Sequence, residues 1–171
     1  MHETVAAPLR ARLAEVAMYK RALVPLDGSA VAEAIIPFIL QIAGPLDMTV
    51  RLLRVVEPIR PMVVEGARPL IVDDPVVRER EAEEYLARIA AELRGRGVDV
   101  APEVRRGAAP AAILAAAKSC SADLIAMSTH GRSGLGRLLF GSVAEQVLRH
   151  ADVPVFLMRQ TEAQVAARTA T

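Results

Sequence analysis

Leu124-Ile-Ala-Met127, followed by Ser128-Thr-His-Gly-Arg-Ser-Gly-Leu-Gly-Arg-Leu-Leu-Phe-Gly-Ser-Val143, is the stretch from which the rest of the chain is read. The first four residues form a short apolar run that fits a fully buried strand, and Val143, Val147 and Leu148 recur at helical spacing beyond the loop. The order is strand, glycine loop, helix. Gly131, Gly134, Gly136 and Gly141 permit positive φ and let backbone N–H groups approach a ligand with no Cβ in the way. A helix opening at Gly141-Ser142 directs unpaired N–H groups and about half a positive charge into the same loop. Arg132 and Arg137 add full charges, so the guest that suits the loop is phosphate. Ser142-x-x-Glu145 also has the form of a capping box, a reading compatible with anion binding.

Working outward, Tyr19-Lys-Arg-Ala-Leu-Val-Pro-Leu26 reads as a first strand ending in the turn Asp27-Gly28-Ser29, with Ser29 offered as a helix N-cap. Ile35, Ile36, Ile39, Leu40 and Ile42 form the apolar side of the helix that follows, with Pro37 as a bend and Gly44-Pro45 as its stop. Thr49-Val-Arg-Leu-Leu-Arg-Val-Val56 is the second strand. Two strands separated by a helix need a crossover connection, which makes them a parallel βαβ unit. Over residues 75–96, Ala82, Leu86, Ile89 and Leu93 make a buried stripe, and Arg78-Glu-Arg-Glu81 reads as a solvated face. Val98-Asp-Val-Ala-Pro-Glu-Val104 alternates, and Pro102 assigns this third strand to a sheet edge. Gly107-Ala-Ala-Pro110 opens a helix running to Cys120, and Asp152-Val-Pro-Val-Phe-Leu-Met158 is the fifth strand. The pattern predicts a single doubly wound α/β sheet of five parallel strands, with its ligand beyond the carboxyl ends of the strands where the strand order reverses.

The 171 residues, 53% hydrophobic and 24% charged, are predicted to form one domain over 19–159, with an extension over 1–18 and a mobile tail over 160–171. Twenty-one basic and 20 acidic residues leave a net charge of +1, which gives no electrostatic reason to expect nucleic acid or an acidic membrane as partner. A lone cysteine, Cys120, excludes an internal disulfide, and His2, His130 and His150 have no metal-ligand spacing. Val5, Leu9, Leu13 and Val16 suit a short amphipathic helix or a frayed terminus, while Glu3, Arg10, Arg12 and Glu15 interrupt any signal-peptide core. The expected compartment is the cytoplasm. From Glu57 to Asp74 the chain is rich in both proline and large apolar residues, predicting a loop that packs down as a cover or dimer contact.

Met127-Ser128-Thr129-His130 ahead of Gly131, nine residues, then Gly141-Ser142, resembles the nucleotide-binding signature of the universal stress protein family. The family pattern is Gly, two residues, Gly, nine residues, Gly, then Ser or Thr; Ser128 stands in the place of its first glycine. The resemblance extends over residues 19–159 through Val24-Pro25-Leu26-Asp27, Leu53-Arg54-Val55-Val56 and Gly107-x-x-Pro110. It implies a Rossmann-like sheet of order 3-2-1-4-5, in which the Asp27 turn and the glycine loop open into one crevice. It further implies ATP, carried with Mg2+, as the ligand. By the same resemblance Pro25, Leu26, Asp27 and the Val55 backbone meet the nucleoside, and Met127 and Ser128 the sugar. Gly131, Gly141, Ser142 and Val143 meet the phosphates, with His130 and Arg132 beside them. Pairing through the last strand, Val153-Pro-Val-Phe-Leu-Met158, would make a homodimer.

The chemistry of these residues agrees with the implied roles. Asp27 is a strong acceptor for a sugar hydroxyl or an amino group, or else a cap for the following helix, and N–H groups and hydroxyls suit phosphate oxygens. No Gly-x-x-x-x-Gly-Lys-Ser/Thr and no Gly-x-Gly-x-x-Gly follows the first strand. His130 has no partner in sequence to orient it as a base. The expectation is an ATP-dependent stress-response switch with little or no hydrolysis. A phosphotransferase or ATPase, and a nucleotide-free dimeric interaction module of the same fold, are the alternatives.

Overall fold

Five parallel strands in the order β3-β2-β1-β4-β5 make the sheet of the computed structural model, which describes residues 19–58, 74–131 and 141–161. In chain order the elements are β1 (Arg21–Pro25), α1 (Ala30–Glu33), α2 (Ile36–Leu46), β2 (Thr49–Val56), α3 (Pro75–Gly95), β3 (Asp99–Arg106), α4 (Ala109–Ser119), β4 (Leu124–Gly131), α5 (Ser142–His150) and β5 (Val155–Thr161). The doubly wound sheet and its 3-2-1-4-5 order are those expected. The expectations for residues 1–18, most of the stretch after Glu57, and Arg132 lie outside the described residues.

Strand alternation divides the core in two. Ala22, Val24, Leu52, Val50 and Ala126 face the side covered by α2 and α3, where Ile35, Ile39, Leu86, Ile89 and Leu93 pack against them. Leu23, Leu53, Ile125 and Met127 face α4 and α5, meeting Ile113, Ala116, Ala144 and Val147. Burying each large aliphatic side chain contributes about 1.5–3 kcal/mol, and both faces carry them, so the sheet is held from both sides. The small Ala112, Ala116 and Ala117 let α4 lie close to the strands. At the amino end of the sheet, the Asp123 carboxylate accepts the Lys20 N–H at 2.9 Å and the Arg21 N–H at 3.0 and 3.1 Å, pinning β1 beside β4.

Four local expectations change. The first helix does not bend at Pro37 but breaks ahead of it: Pro37 has no N–H for the Glu33 carbonyl, α1 ends at Glu33, and Pro37 sits in the first turn of α2. Gly44-Pro45 does not stop α2, because a proline in the last turn removes a single bond. The helix ends instead on Asp47, left-handed at φ 51°, with Met48 N–H bonded to Ala43 C=O at 2.9 Å. The capping box does not form. Gly141 is the N-cap of α5, which places Ser142 one residue too late to cap, and Glu145 pairs with Arg149 at 3.0 Å. Finally, Gln160 and Thr161, assigned to the tail, continue β5; they pair with His130 and Gly131, and Gln160 is buried.

Candidate functional site

β1 and β4 are neighbours in the sheet although β2, β3 and the helices α1 to α4 separate them in sequence, so the strand order reverses between them. Beyond their carboxyl ends lies a cavity of about 270 Å³. Pro25, Leu26 and Asp27 line it from the end of β1, Val55 from β2, Met127 and Ser128 from β4, and Gly141, Ser142 and Val143 from the start of α5. The fold thus brings the residues of both sequence signals together. His130 and Gly131 carry β4 to its end.

The β1 side is shaped by a turn. Gly28, at φ 83°, takes a left-handed conformation that a side chain disfavours, and the Asp27 carboxylate accepts the Ser29 N–H at 2.9 Å across it. Ser29 Oγ then accepts the Ala32 N–H at 3.1 Å, capping α1. The cap of the helix is therefore Ser29, and Asp27 holds the turn with Oδ1. Asp27 is exposed and carries the one carboxyl group among the described lining residues.

The opposite wall is the junction of β4 and α5. The first intrahelical bond of α5 runs from Glu145 N–H to Gly141 C=O at 2.9 Å, which leaves the N–H groups of Ser142, Val143 and Ala144 without a partner in the helix. With the helix dipole these donors favour an anion at this end of the cavity. Thr129, a lining residue that sequence reasoning missed, accepts the Gly141 N–H on Oγ1 at 3.3 Å and is itself 6% exposed. It fixes where the helix starts. The available signal was alternation: Thr129 lies two residues after Met127 and so shares its face of β4.

Glycine at 141 is not required by backbone conformation, since its φ is −62°; a Cβ there would meet Thr129 Oγ1 at 3.6 Å, an ordinary contact. Ser128 likewise sits in extended strand, and the described non-glycine residues with positive φ are Asp47 and Ser121. A serine in the place of the family's first glycine therefore carries no backbone strain here. Its Oγ is buried without a hydrogen-bond partner. Ser29, Leu53, Ala109 and Ile113 also line the cavity, the last two because α4 begins against the crevice.

A strand-order reversal, a cavity beyond it and a helix N-terminus aimed into it define a doubly wound α/β protein with a ligand crevice at its switch point. The chain belongs to the universal stress protein family, whose model matches residues 18–159. It is 32% identical over 145 residues to a universal stress protein of Methanocaldococcus jannaschii, the match covering 84% of each chain. A solved universal stress protein family member from Burkholderia pseudomallei, 28% identical, superposes with a TM-score of 0.64 over 83% of this chain and 97% of that one. The universal stress protein of Archaeoglobus fulgidus solved in complex with dAMP shares the fold at 22% identity and a TM-score of 0.57, covering 82% of this chain and 98% of that one.

Among the described residues no group of three or more His, Cys, Asp or Glu side chains is placed to hold a metal ion, and no helix is long and apolar enough to cross a membrane.

Proposed function

We propose that this universal stress protein binds ATP in the cavity between β1 and β4 and acts as a nucleotide-dependent switch in a stress response. The observation that carries the reading is the convergence of the Asp27 turn and the N-terminus of α5 on one cavity. Its floor of Leu26, Val55, Met127 and Ile113 suits an aromatic base, and Asp27 offers a carboxylate oxygen to a sugar hydroxyl or amino group. The cavity of about 270 Å³ is the size of a nucleoside rather than a whole triphosphate, near the lower end of the roughly 300–1,000 Å³ of small-molecule sites. The phosphates then extend past Gly141 and Ser142 toward the end of β4. The dAMP in the Archaeoglobus fulgidus relative supports an adenine nucleotide as the class of ligand.

The residues fit magnesium only as a companion of the nucleotide. One carboxylate among the described lining residues does not make a metal site, so the ion would be held chiefly by phosphate oxygens, with the Ser142 hydroxyl available to it, and would neutralise their charge. Turnover is slow or absent in this reading. A general base contributes a factor of about 10² to 10⁴, and Asp27, the one ionisable group among the described lining residues, is engaged in its turn.

The protein acts as a cytoplasmic homodimer paired through β5, an edge strand whose Val155, Phe156, Leu157 and Met158 are all partly exposed. Val155→Lys is expected to shift the mass in light scattering toward the monomer, and a variant that stays dimeric with its fold intact would place the contact elsewhere. For the ligand, the purified protein is denatured and any released small molecule is identified by mass spectrometry. An adenine nucleotide is the expected result. Release of a different ligand, or none together with no uptake of added ATP, would favour the nucleotide-free interaction module.

A further inference from the structure

A second cavity, of about 210 Å³, lies between the carboxyl end of β2 and the first half of α3, with Gly28, Arg54, Val56, Arg78, Glu81 and Tyr85 among the residues lining it. Arg54 is its most unusual member. The guanidinium is half-buried, and its polar contact is a long one, Nη1 donating to the Leu26 carbonyl at 3.5 Å. No carboxylate of the described residues pairs with it. By contrast, Arg51, Arg80, Arg88, Arg96, Arg105, Arg106 and Arg149 have acidic partners, and Arg94 donates twice to the Val100 carbonyl, at 3.2 and 2.6 Å.

The surroundings hold this unpaired cation in place rather than neutralise it. Its guanidinium carbon lies 5.9 Å from the centre of the Tyr85 ring, a cation–π arrangement, and Arg88 approaches the same ring at 5.5 Å. Glu33, the acidic side chain near Tyr85, is engaged by Arg88 at 3.5 Å. Arg78 adds a second positive charge to the cavity while donating to the Glu57 carbonyl at 2.8 Å. Glu81 is the opposing charge, but it is exposed, whereas Arg54 is half-buried, so water screens the glutamate more strongly. Gly28 keeps the approach open, since a Cβ there would stand 3.6 Å from the Arg54 guanidinium.

We propose that this cavity is a second ligand site, separate from the crevice between β1 and β4, that binds a small oxyanion through Arg54. The shared chemistry is a planar or tetrahedral oxygen anion, a carboxylate or a phosphate group, because the guanidinium fork offers two parallel N–H donors matched to either. Half-burying a guanidinium that lacks a carboxylate partner costs free energy, and an anion offsets part of that cost. Tyr85 and Gly28 are the neighbours of the fork in this cavity.

The test uses the full chain, labelled with ¹⁵N and titrated separately with inorganic phosphate and with succinate. The Arg54 Nε–H and the Gly28 and Val56 amides are the reporters. Saturable shifts at these three groups are expected, with a dissociation constant of about 1 mM or tighter for the better anion. The tighter of the two identifies the source as phosphate-bearing or carboxylate-bearing. Arg54→Gln is expected to abolish the Gly28 and Val56 shifts while leaving any phosphate shifts at Ser142 and Val143, so the outcome is independent of nucleotide binding in the first cavity. Arg54→Lys keeps the charge without the fork and is expected to weaken binding about tenfold; Glu81→Gln is expected to tighten it. Absence of saturable shifts with both anions overturns the proposal, as do shifts that persist unchanged in Arg54→Gln. If that variant fails to fold, unchanged affinity in Arg54→Lys overturns it.

Discussion

Val55 lines both cavities, and the chemistry on its two sides differs. Toward β4 and α5 the walls are aliphatic, and the polar atoms are hydroxyls, the donors at the start of α5, and one carboxylate that already holds a turn. Toward α3 the walls carry two arginines, a glutamate and a tyrosine. In the first cavity the anion-binding donors are main-chain N–H groups at a helix start. Side chains that β2 and α3 bring into proximity make the second. A site of the first kind can receive a charged ligand with little charge of its own, because backbone donors need no counter-ion in the ligand's absence. A site of the second kind holds its charge permanently, here beside the face of an aromatic ring.

The comparison breaks most sharply at Gly141. Gly141→Asp sets a carboxylate beside the unpaired donors of α5 and is expected to weaken ATP binding more than about a hundredfold, while leaving the Arg54 reporters responsive to oxyanions. Calorimetry and the anion titration on this one variant check both halves. Loss of both responses would mean that the cavities are one site.

A smaller effect sharpens the description of the second cavity. Tyr85 Oη is buried without a hydrogen-bond partner, so Tyr85→Phe is expected to leave stability unchanged or raise it by about 1 kcal/mol in urea unfolding. Burial pushes the Tyr85 hydroxyl above its ordinary pKa, with the Glu33 carboxylate adding to the shift and Arg54 and Arg88 opposing it. In the unfolded chain it ionises near its usual value of about 10. Above that pH the unfolded state loses the proton while the folded state keeps it, so stability falls as pH rises further. Tyr85→Phe should remove that part of the alkaline loss, and an identical decline in parent and variant would show that the hydroxyl does not contribute.

Much of this was legible in the sequence, and the reasons are physical. The apolar runs at Leu124-Ile-Ala-Met127 and Thr49-Val-Arg-Leu-Leu-Arg-Val-Val56, with helical periodicity between strands, specify a parallel sheet because nothing else buries both faces of each strand. Pro102 marked β3 as an edge, and it is one. Asp27, Val55, Met127, Ser128 and Gly141 could be grouped through the family resemblance, which supplied the strand order that brings those strand ends together, and all five line the one cavity. Thr129 and Ile113 were not legible: the first acts by accepting one N–H from a helix start distant in sequence, and the second enters the lining only through the way α4 packs. Ser142-x-x-Glu145 misled because a capping box depends on where the helix begins, and the bond from Gly141 to Thr129 begins it one residue earlier. Arg54 gave no signal, since its meaning depends on which carboxylates the fold leaves out of reach.

Calorimetric titration of the nucleotide-free protein with ATP and magnesium, paired with a phosphate-release assay, tests the central claim most directly. Binding of one nucleotide per chain is expected, with a dissociation constant of about 1 μM, and Ser128→Gly should bind equally well or more tightly because Ser128 already sits in unstrained extended backbone. Phosphate release should be slow or undetectable. No binding by the parent would contradict the assignment of the cavity between β1 and β4 to a nucleotide, and rapid release of phosphate would contradict its role as a switch rather than a catalyst.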